Sequence, residues 1–199
     1  MDRRAVFAPM LLLLAMVCAA AAAQERRVLC VLVDDLGFGA SDRETSGKLL
    51  AVLRDEVVKE SDLVGFVSSG PSGITADLQP ANTGILNHAM QQFTAAHPSE
   101  QLVRPDATWA ALVTLGTASD VVKNLARLDN RDKQLLLITS RPSVSGSFAA
   151  TFARTGQAAP AEVTTHLAAI VAAAKAGNVT LRLLSTADPQ SVALLRALR

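Results

Sequence analysis

Aromatic residues are scarce in this sequence: they make up 4% of its 199 residues, with one tryptophan and no tyrosine. Positive and negative charges nearly balance, and the formal net charge is +1. Proteins that bind nucleic acids usually carry a basic stripe or patch, often with aromatic side chains that stack on bases. No such stripe is present, so the composition argues against a nucleic-acid partner.

Cysteine is equally rare, since Cys18 and Cys30 are the only two. We expect Cys18 to be removed with the N-terminal segment, and Cys30 lies within a predicted buried strand. A single remaining cysteine cannot form an internal disulfide, so we predict that Cys30 is a small core residue. The fold must then be held by its apolar core, and half of the residues are hydrophobic.

The N-terminal segment has the composition of a secretory signal peptide. A short basic start is followed by residues 5–23, which are apolar throughout, and three alanines precede Gln24. We therefore predict a signal peptide at residues 1–23 and a single domain at residues 24–199, in a protein that is periplasmic or secreted. The alternative is an uncleaved anchor, because the apolar run is just long enough to span a bilayer. Only in that case would the protein be attached to a membrane.

An unbroken apolar run, residues 28–33, ends at two adjacent carboxylates, Asp34 and Asp35. A run so short and uniformly apolar suits a strand buried on both faces in the centre of a parallel sheet. Open α/β sheets bind ligands at the carboxyl ends of such strands. Because adjacent residues point to opposite faces, we expect only one acid to face that crevice. A simpler role for the two aspartates is to cap the next helix and to accept hydrogen bonds from loop amides.

The rest of the chain alternates short apolar runs with amphipathic segments. This order predicts a three-layer α/β/α, doubly wound and mostly parallel sheet with one short antiparallel edge strand. A bend or break is expected in one helix at Gly116, and a long loop follows at residues 140–157. The predicted strands are 28–33, 63–67, 74–78 (the edge strand), 134–139 and 179–184, and the predicted helices are 41–59, 83–95, 107–128, 160–176 and 190–198, with a short one near 148–152.

Several of these segments together resemble a known fold family. They are Val-Leu-Val-Asp-Asp-Leu-Gly (31–37), Ser-Asp-Leu-Val-Gly-Phe-Val-Ser-Ser-Gly-Pro-Ser-Gly (61–73) and Asp-Lys-Gln-Leu-Leu-Leu-Ile-Thr-Ser (132–140), supported by residues 48–56 and 176–184. Their order and spacing resemble the von Willebrand factor type A (VWA) fold, and more narrowly the VWFA-related domains of exported bacterial proteins. The resemblance implies a domain that binds a protein partner.

The resemblance also implies where a metal ion would lie. The metal-ion-dependent adhesion site of the family has Asp-x-Ser-x-Ser after the first strand, a later threonine, and an aspartate after the fourth strand. Asp34 occupies the first position here, but Leu36 and Phe38 occupy the serine positions. Arg141 stands near the place of the second aspartate, and Thr108 and Thr117 are poor matches to the threonine. We therefore expect a degenerate site that holds no metal and no cofactor.

Three functions follow as hypotheses. The first is an exported, non-enzymatic, VWA-like protein-binding or scaffold domain without a standard metal site. The second is an Mg²⁺- or Ca²⁺-dependent adhesion module with a rebuilt site that uses Asp34, Asp35, Ser41 and Thr139. The third is a hydrolase of unknown class, although no nucleophile–base pair can be assembled. The expected partner-binding surface, which we call the loop rim, comprises Asp34, Asp35, Phe38, Ser41, Ser69, Ser72, Thr139, Ser140 and Arg141.

Overall fold

A computed structural model describes residues 26–36, 38, 40–70, 75–81, 84–95, 107–129, 132–140 and 161–199. The predicted signal peptide and the predicted short helix near 148–152 lie outside the described residues. The elements that it describes are β1 (Val28–Asp34), α1 (Ala40–Val52) with a π-helical turn (Leu53–Val57), β2 (Leu63–Ser68), β3 (Thr75–Pro80), α2 (Ile85–Ala95), α3 (Ala107–Ala126), β4 (Lys133–Thr139), α4 (Ala161–Ala176), β5 (Val179–Ser185) and α5 (Ser191–Arg196).

The strands form one sheet in the order β3-β2-β1-β4-β5. β1 pairs in parallel with β2 and β4, and β4 pairs in parallel with β5, whereas β3 is antiparallel to β2 at the edge. The predicted α/β class, the mostly parallel sheet and its single antiparallel edge strand are therefore confirmed. The arrangement is compatible with a three-layer α/β/α fold.

Two apolar clusters cover the two faces of the sheet, and the side chains of β1 alternate between them. Leu29, Val31 and Val33 enter the cluster formed with α1, α2 and α5. Cys30 and its neighbours at 28 and 32 enter the cluster formed with α3 and α4. All seven residues of β1 are buried. This is why the sequence of the strand is a continuous apolar run and does not alternate between apolar and polar residues.

The helix break that was one of two expectations at Gly116 is not observed. α3 runs without interruption from Ala107 to Ala126. A glycine inside a helix costs only about 1 kcal/mol relative to alanine. Here Ala111, Leu115 and Ala118 bury one side of the helix against the sheet and α4, and this packing outweighs that cost.

A buried ion pair stabilises the end of the sheet at which the parallel strands begin. Arg27 bonds to the Asp62 carboxylate at the start of β2, and its side chain is 10% exposed while that of Asp62 is 2% exposed. The same guanidinium donates to the carbonyl oxygens of Val57 at 2.7 Å and of Leu198 at 2.8 Å. Arg27 thereby joins β1, the π-helical turn and the end of the chain. None of the described helices is long and apolar enough to cross a membrane.

Candidate functional site

The carboxyl end of β1 lies where the chain changes direction across the sheet. The chain leaves β1 for β2 on one side and later places β4 on the other side. In open α/β sheets the crevice at such a switch point is the usual ligand site. Asp34 is the last residue of β1 and lies opposite Thr139, the last residue of β4.

Asp34 is fully buried, and hydroxyl groups from two other elements bind its carboxylate. Thr139 Oγ1 on β4 donates to Asp34 Oδ2 at 2.8 Å. Thr114 Oγ1, from the middle of α3, donates to Asp34 Oδ1 at 2.9 Å. Both threonines are also 0% exposed. A buried carboxylate needs such partners, because leaving it without hydrogen bonds in the interior is costly.

Asp35 points away from Asp34 and is bound by the neighbouring strand. Ser68 Oγ, at the end of β2, donates to Asp35 Oδ1 at 2.9 Å, and Asp35 is 5% exposed. The chain at Gly70 passes so close that a Cβ there would overlap the Asp35 carboxylate and lie 2.9 Å from the amide nitrogen of Leu36. Glycine is therefore required at this position by close approach. The two acids face different partners, as the alternation of side chains along a strand predicts.

Ser69 links the two halves of this arrangement. Its amide donates to the Val33 carbonyl at 3.0 Å, and its Oγ lies 3.2 Å from Thr114 Oγ1. A hydroxyl has one proton, and that of Thr114 is donated to Asp34, so Ser69 is the donor in the contact between the two hydroxyls. Two hydroxyl groups thus donate directly to the Asp34 carboxylate, and the Ser69 hydroxyl lies between one of them and the Val33 carbonyl, 3.4 Å away. We call Asp34, Asp35, Ser68, Ser69, Thr114 and Thr139 the carboxylate–hydroxyl cluster.

A further contact extends this end of the sheet towards β5. Thr186 Oγ1 donates to Asp42 Oδ1 at 2.9 Å, and the Thr186 amide donates to the Thr139 carbonyl at 3.0 Å. Asp42 lies in the first turn of α1. The turn after β5 is therefore fixed beside the start of α1, next to the exposed Ser41.

The chemistry of the cluster is that of oxygen atoms alone. Carboxylate and hydroxyl oxygens are ligands for hard cations such as Mg²⁺ and Ca²⁺, so a cation fits the type of atom present. In the part of the chain that the structure describes, no three His, Cys, Asp or Glu side chains are grouped as a metal site. As arranged, both carboxylates are below the surface and act as acceptors for hydroxyl groups that hold the strand ends together.

The structure brings some of the predicted site residues together and separates others. Asp34, Asp35, Ser69 and Thr139 meet in the carboxylate–hydroxyl cluster. Ser41 is exposed on α1, and no hydrogen bond joins it to either acid among the described contacts. Phe38 is half-buried, and its ring packs edge-on against Phe93 of α2 with a centroid distance of 6.4 Å. Ser140 is half-buried just after β4, while Ser72 and Arg141 lie outside the described residues.

Sequence reasoning missed two members of the cluster, Thr114 and Ser68. Thr114 lies one helical turn after Ala110 and one before Ala118, both of which are buried. A polar residue on the buried face of a predicted helix needs a partner, and this was the available signal. Ser68 was assigned to the turn after a strand, whereas it is the last residue of β2.

Comparison with known proteins adds no family assignment. No protein-family model matches the sequence, and no curated protein matches it.

Proposed function

We propose that this chain is an exported, non-enzymatic binding domain of the VWA-like type, which contacts a protein partner through its loop rim without a standard metal site. The support from the fold is the sheet order β3-β2-β1-β4-β5 with an antiparallel edge. This order is compatible with the predicted resemblance. The support for export is the composition of residues 1–23.

The carboxylate–hydroxyl cluster is the observation that carries the proposal. Asp34 joins the ends of β1 and β4 to the middle of α3, and Asp35 joins the end of β1 to the end of β2. The loops that leave these strands therefore start from fixed positions. Fixed loop bases lower the entropy lost when loops are ordered by a partner, which favours a binding role for the surface above them.

The burial of both acids disfavours the hydrolase hypothesis. A general base or nucleophile must lie within hydrogen-bond reach of the substrate. Asp34 is 0% exposed and Asp35 is 5% exposed, and hydroxyl groups of the protein already bind both. A substrate would have to displace these contacts to reach either carboxylate.

The all-oxygen cluster favours a second candidate, a cation-dependent adhesion module. Its ligand set would differ from the one predicted, because Thr114 and Ser69 take the place near Asp34 that Ser41 was expected to hold. Isothermal titration calorimetry with Mg²⁺, Ca²⁺ and Mn²⁺ separates the two candidates. The first proposal expects no binding heat and no thermal shift at millimolar metal. Saturable heat that Thr139→Val abolishes would establish the second candidate instead.

Site-specific photo-cross-linking tests the first proposal in the cells that make the protein. A photoreactive amino acid is placed at Ser41 and at Ser140 on the loop rim, with Ser61 as the matched control. Ser61 is exposed in the turn before β2, at the opposite end of the sheet. We expect the same cross-linked partner from both rim positions and none from Ser61. Equal cross-linking at all three positions, or none at the rim, contradicts the proposal.

A further inference from the structure

β5 is an edge strand whose hydrogen-bonding directions can be assigned residue by residue. The Thr186 amide donates to Thr139 of β4. The Ser185 amide and carbonyl instead point the other way, where the Ser191 hydroxyl binds them at 2.9 and 2.8 Å. Backbone groups alternate in direction along a strand. Those of Leu183 and Leu181 therefore point away from β4, on the same side as Ser185.

These outward groups form an open edge. Within the described part of the chain, β5 pairs with β4 alone, and no protein group accepts from or donates to the outward backbone groups of Val179, Leu181 and Leu183. Ser191 closes the edge only at its carboxyl end. An edge of this kind is a template for pairing with another strand.

The opposite edge of the sheet is protected, which makes the openness of β5 more informative. β3 ends in Pro80, carries the exposed acid Asp77, and pairs with β2 through a register shift between Val64 and Phe66. Proline, charge and irregular pairing are the usual devices that prevent edge-to-edge association. β5 contains no proline and has one charged residue, Arg182.

The surfaces beside β5 are suited to contact on both faces of the sheet. On one face, Thr180 and Arg182 are exposed, so none of the described helices covers this part of the strand. On the other face, α4 packs beside the half-buried Leu181 and Leu183. The exposed side chains of α4 include Val171, which is 50% exposed, and alanines around it, together with polar residues such as His166 and Lys175.

We propose that a second copy of this chain pairs antiparallel along β5, with the two-fold axis at Leu181. This register places Leu181 opposite its own copy and Val179 opposite Leu183 of the second copy. Every outward group that remains open is then paired with another open group, and the Ser185–Ser191 contact is preserved. The two sheets become one continuous sheet, and Leu181 and Leu183 of both copies lie on the face that α4 covers.

The charge on β5 disfavours a register shifted by one residue towards the carboxyl end of the strand. With the axis at Leu181, Arg182 lies opposite Thr180 of the second copy. Moving the axis from Leu181 to Arg182 would place Arg182 opposite its own copy, and like charges directly opposite are destabilising. That register would also require Ser185 to leave the Ser191 hydroxyl. A two-fold axis at Leu181 avoids both costs. A second copy of β5 can therefore pair here without an acidic strand from another protein to neutralise Arg182.

Sedimentation velocity on the full chain tests the proposal. We expect a concentration-dependent dimer that Thr180→Lys weakens by about tenfold, because the new lysine faces Arg182 of the second copy at two symmetric places. Thr180→Glu should strengthen it by a similar factor. Thr75→Lys, an exposed threonine on β3, is the matched control and should leave the dimer unchanged. A chain that stays monomeric at its highest soluble concentration overturns the proposal, even if a strand of another protein binds there.

A mixed disulfide tests the register itself. Thr180 and Arg182 of opposite copies form a non-hydrogen-bonded pair, whose Cα atoms lie about 4.5 Å apart, within the range that a disulfide spans. In a Cys18→Ser background, we expect Thr180→Cys protein mixed with Arg182→Cys protein to form a cross-linked dimer on mild oxidation. Each variant alone should not cross-link. Cross-linking of Arg182→Cys alone, or none in the mixture, overturns the proposed register.

Discussion

Replacing Thr114 by valine tests whether the carboxylate–hydroxyl cluster holds the sheet and α3 together. The substitution keeps the branched shape of the side chain and removes one hydroxyl. Thr114 is fully buried, and this hydroxyl donates to Asp34 across 80 residues of sequence. Its loss therefore removes a contact between two elements rather than one within the helix.

The expected cost can be worked out from the contacts of the hydroxyl. A hydrogen bond to a charged group contributes about 1.5–3 kcal/mol. Asp34 keeps the bond from Thr139, so its carboxylate is not left bare. Ser69 loses its acceptor but still lies 3.4 Å from the Val33 carbonyl, which limits that part of the loss. We expect the free energy of unfolding to fall by about 2 kcal/mol, which lowers Tm by about 4–8 °C for a chain of this size.

Urea unfolding followed by circular dichroism measures the effect, with Thr117→Val as the matched control. Thr117 is on the same helix, and its hydroxyl donates only to the Val113 carbonyl one turn earlier, at 3.1 Å. Its replacement should change stability by less than about 0.5 kcal/mol. The double variant Thr114→Val with Thr139→Val should lose more than the sum of the two single losses, because the carboxylate is then left without either hydroxyl. Equal, small effects of the Thr114 and Thr117 substitutions would refute the reasoning.

Three other predictions concern close packing, a thiol and an ion pair. Gly70→Ala should lower the free energy of unfolding by about 1–3 kcal/mol because the new Cβ meets the Asp35 carboxylate. Gly116→Ala, with open space around it, should instead raise the free energy of unfolding by about 0.5–1 kcal/mol. Equal shifts of the urea midpoint in the two variants would contradict the close approach at Gly70. Burial raises the pKa of Cys30 from 9.0 to about 12. The stability that depends on its neutral thiol is therefore present below pH 9 and lost as the pH rises towards 12, and Cys30→Ala should flatten this decline in unfolding experiments; an unchanged slope would count against it. Asp62→Asn leaves the buried Arg27 charge without its carboxylate partner and should lower the free energy of unfolding by about 3 kcal/mol or more. The double variant with Arg27→Met should recover part of this stability in urea unfolding. A double variant that recovers none of it would show that the two side chains are not coupled.

The parts of the fold that could be predicted are those whose signal is local. β1 and β4 were predicted at 28–33 and 134–139 because strands buried on both faces are continuous apolar runs. The structure extends these strands to Val28–Asp34 and Lys133–Thr139. The antiparallel edge strand was predicted at 74–78 and is observed at Thr75–Pro80. The shifts are of one or two residues, as is usual at element ends.

Thr139 was predicted to lie near the two acids, but their other partners, Thr114 and Ser68, could not be predicted because their positions depend on tertiary structure. Thr114 and Thr139 are 80 and 105 residues from Asp34 in the sequence. These residues meet only if β4 lies beside β1 and if α3, packed on one face of the sheet, is rotated about its axis so that Thr114 faces Asp34. The metal-site pattern directed attention to residues 36 and 38, which follow Asp34 in sequence. The hydroxyl groups that bind Asp34 come instead from elements that only the folded sheet brings near.

The depth of the acids determines how changes at the site should affect binding. Although Asp34 and Asp35 were predicted as part of the loop rim, both are buried, so a partner meets exposed members of the rim such as Ser41 and not the carboxylates. Asp34→Asn should therefore reduce Tm and weaken rim cross-linking together, since it loosens the loop bases. Ser41→Arg should weaken cross-linking from Ser140 and leave Tm unchanged. If Asp34→Asn abolished binding without lowering Tm, the carboxylate itself would contact the ligand or a cation, and its role as a buried brace would be wrong.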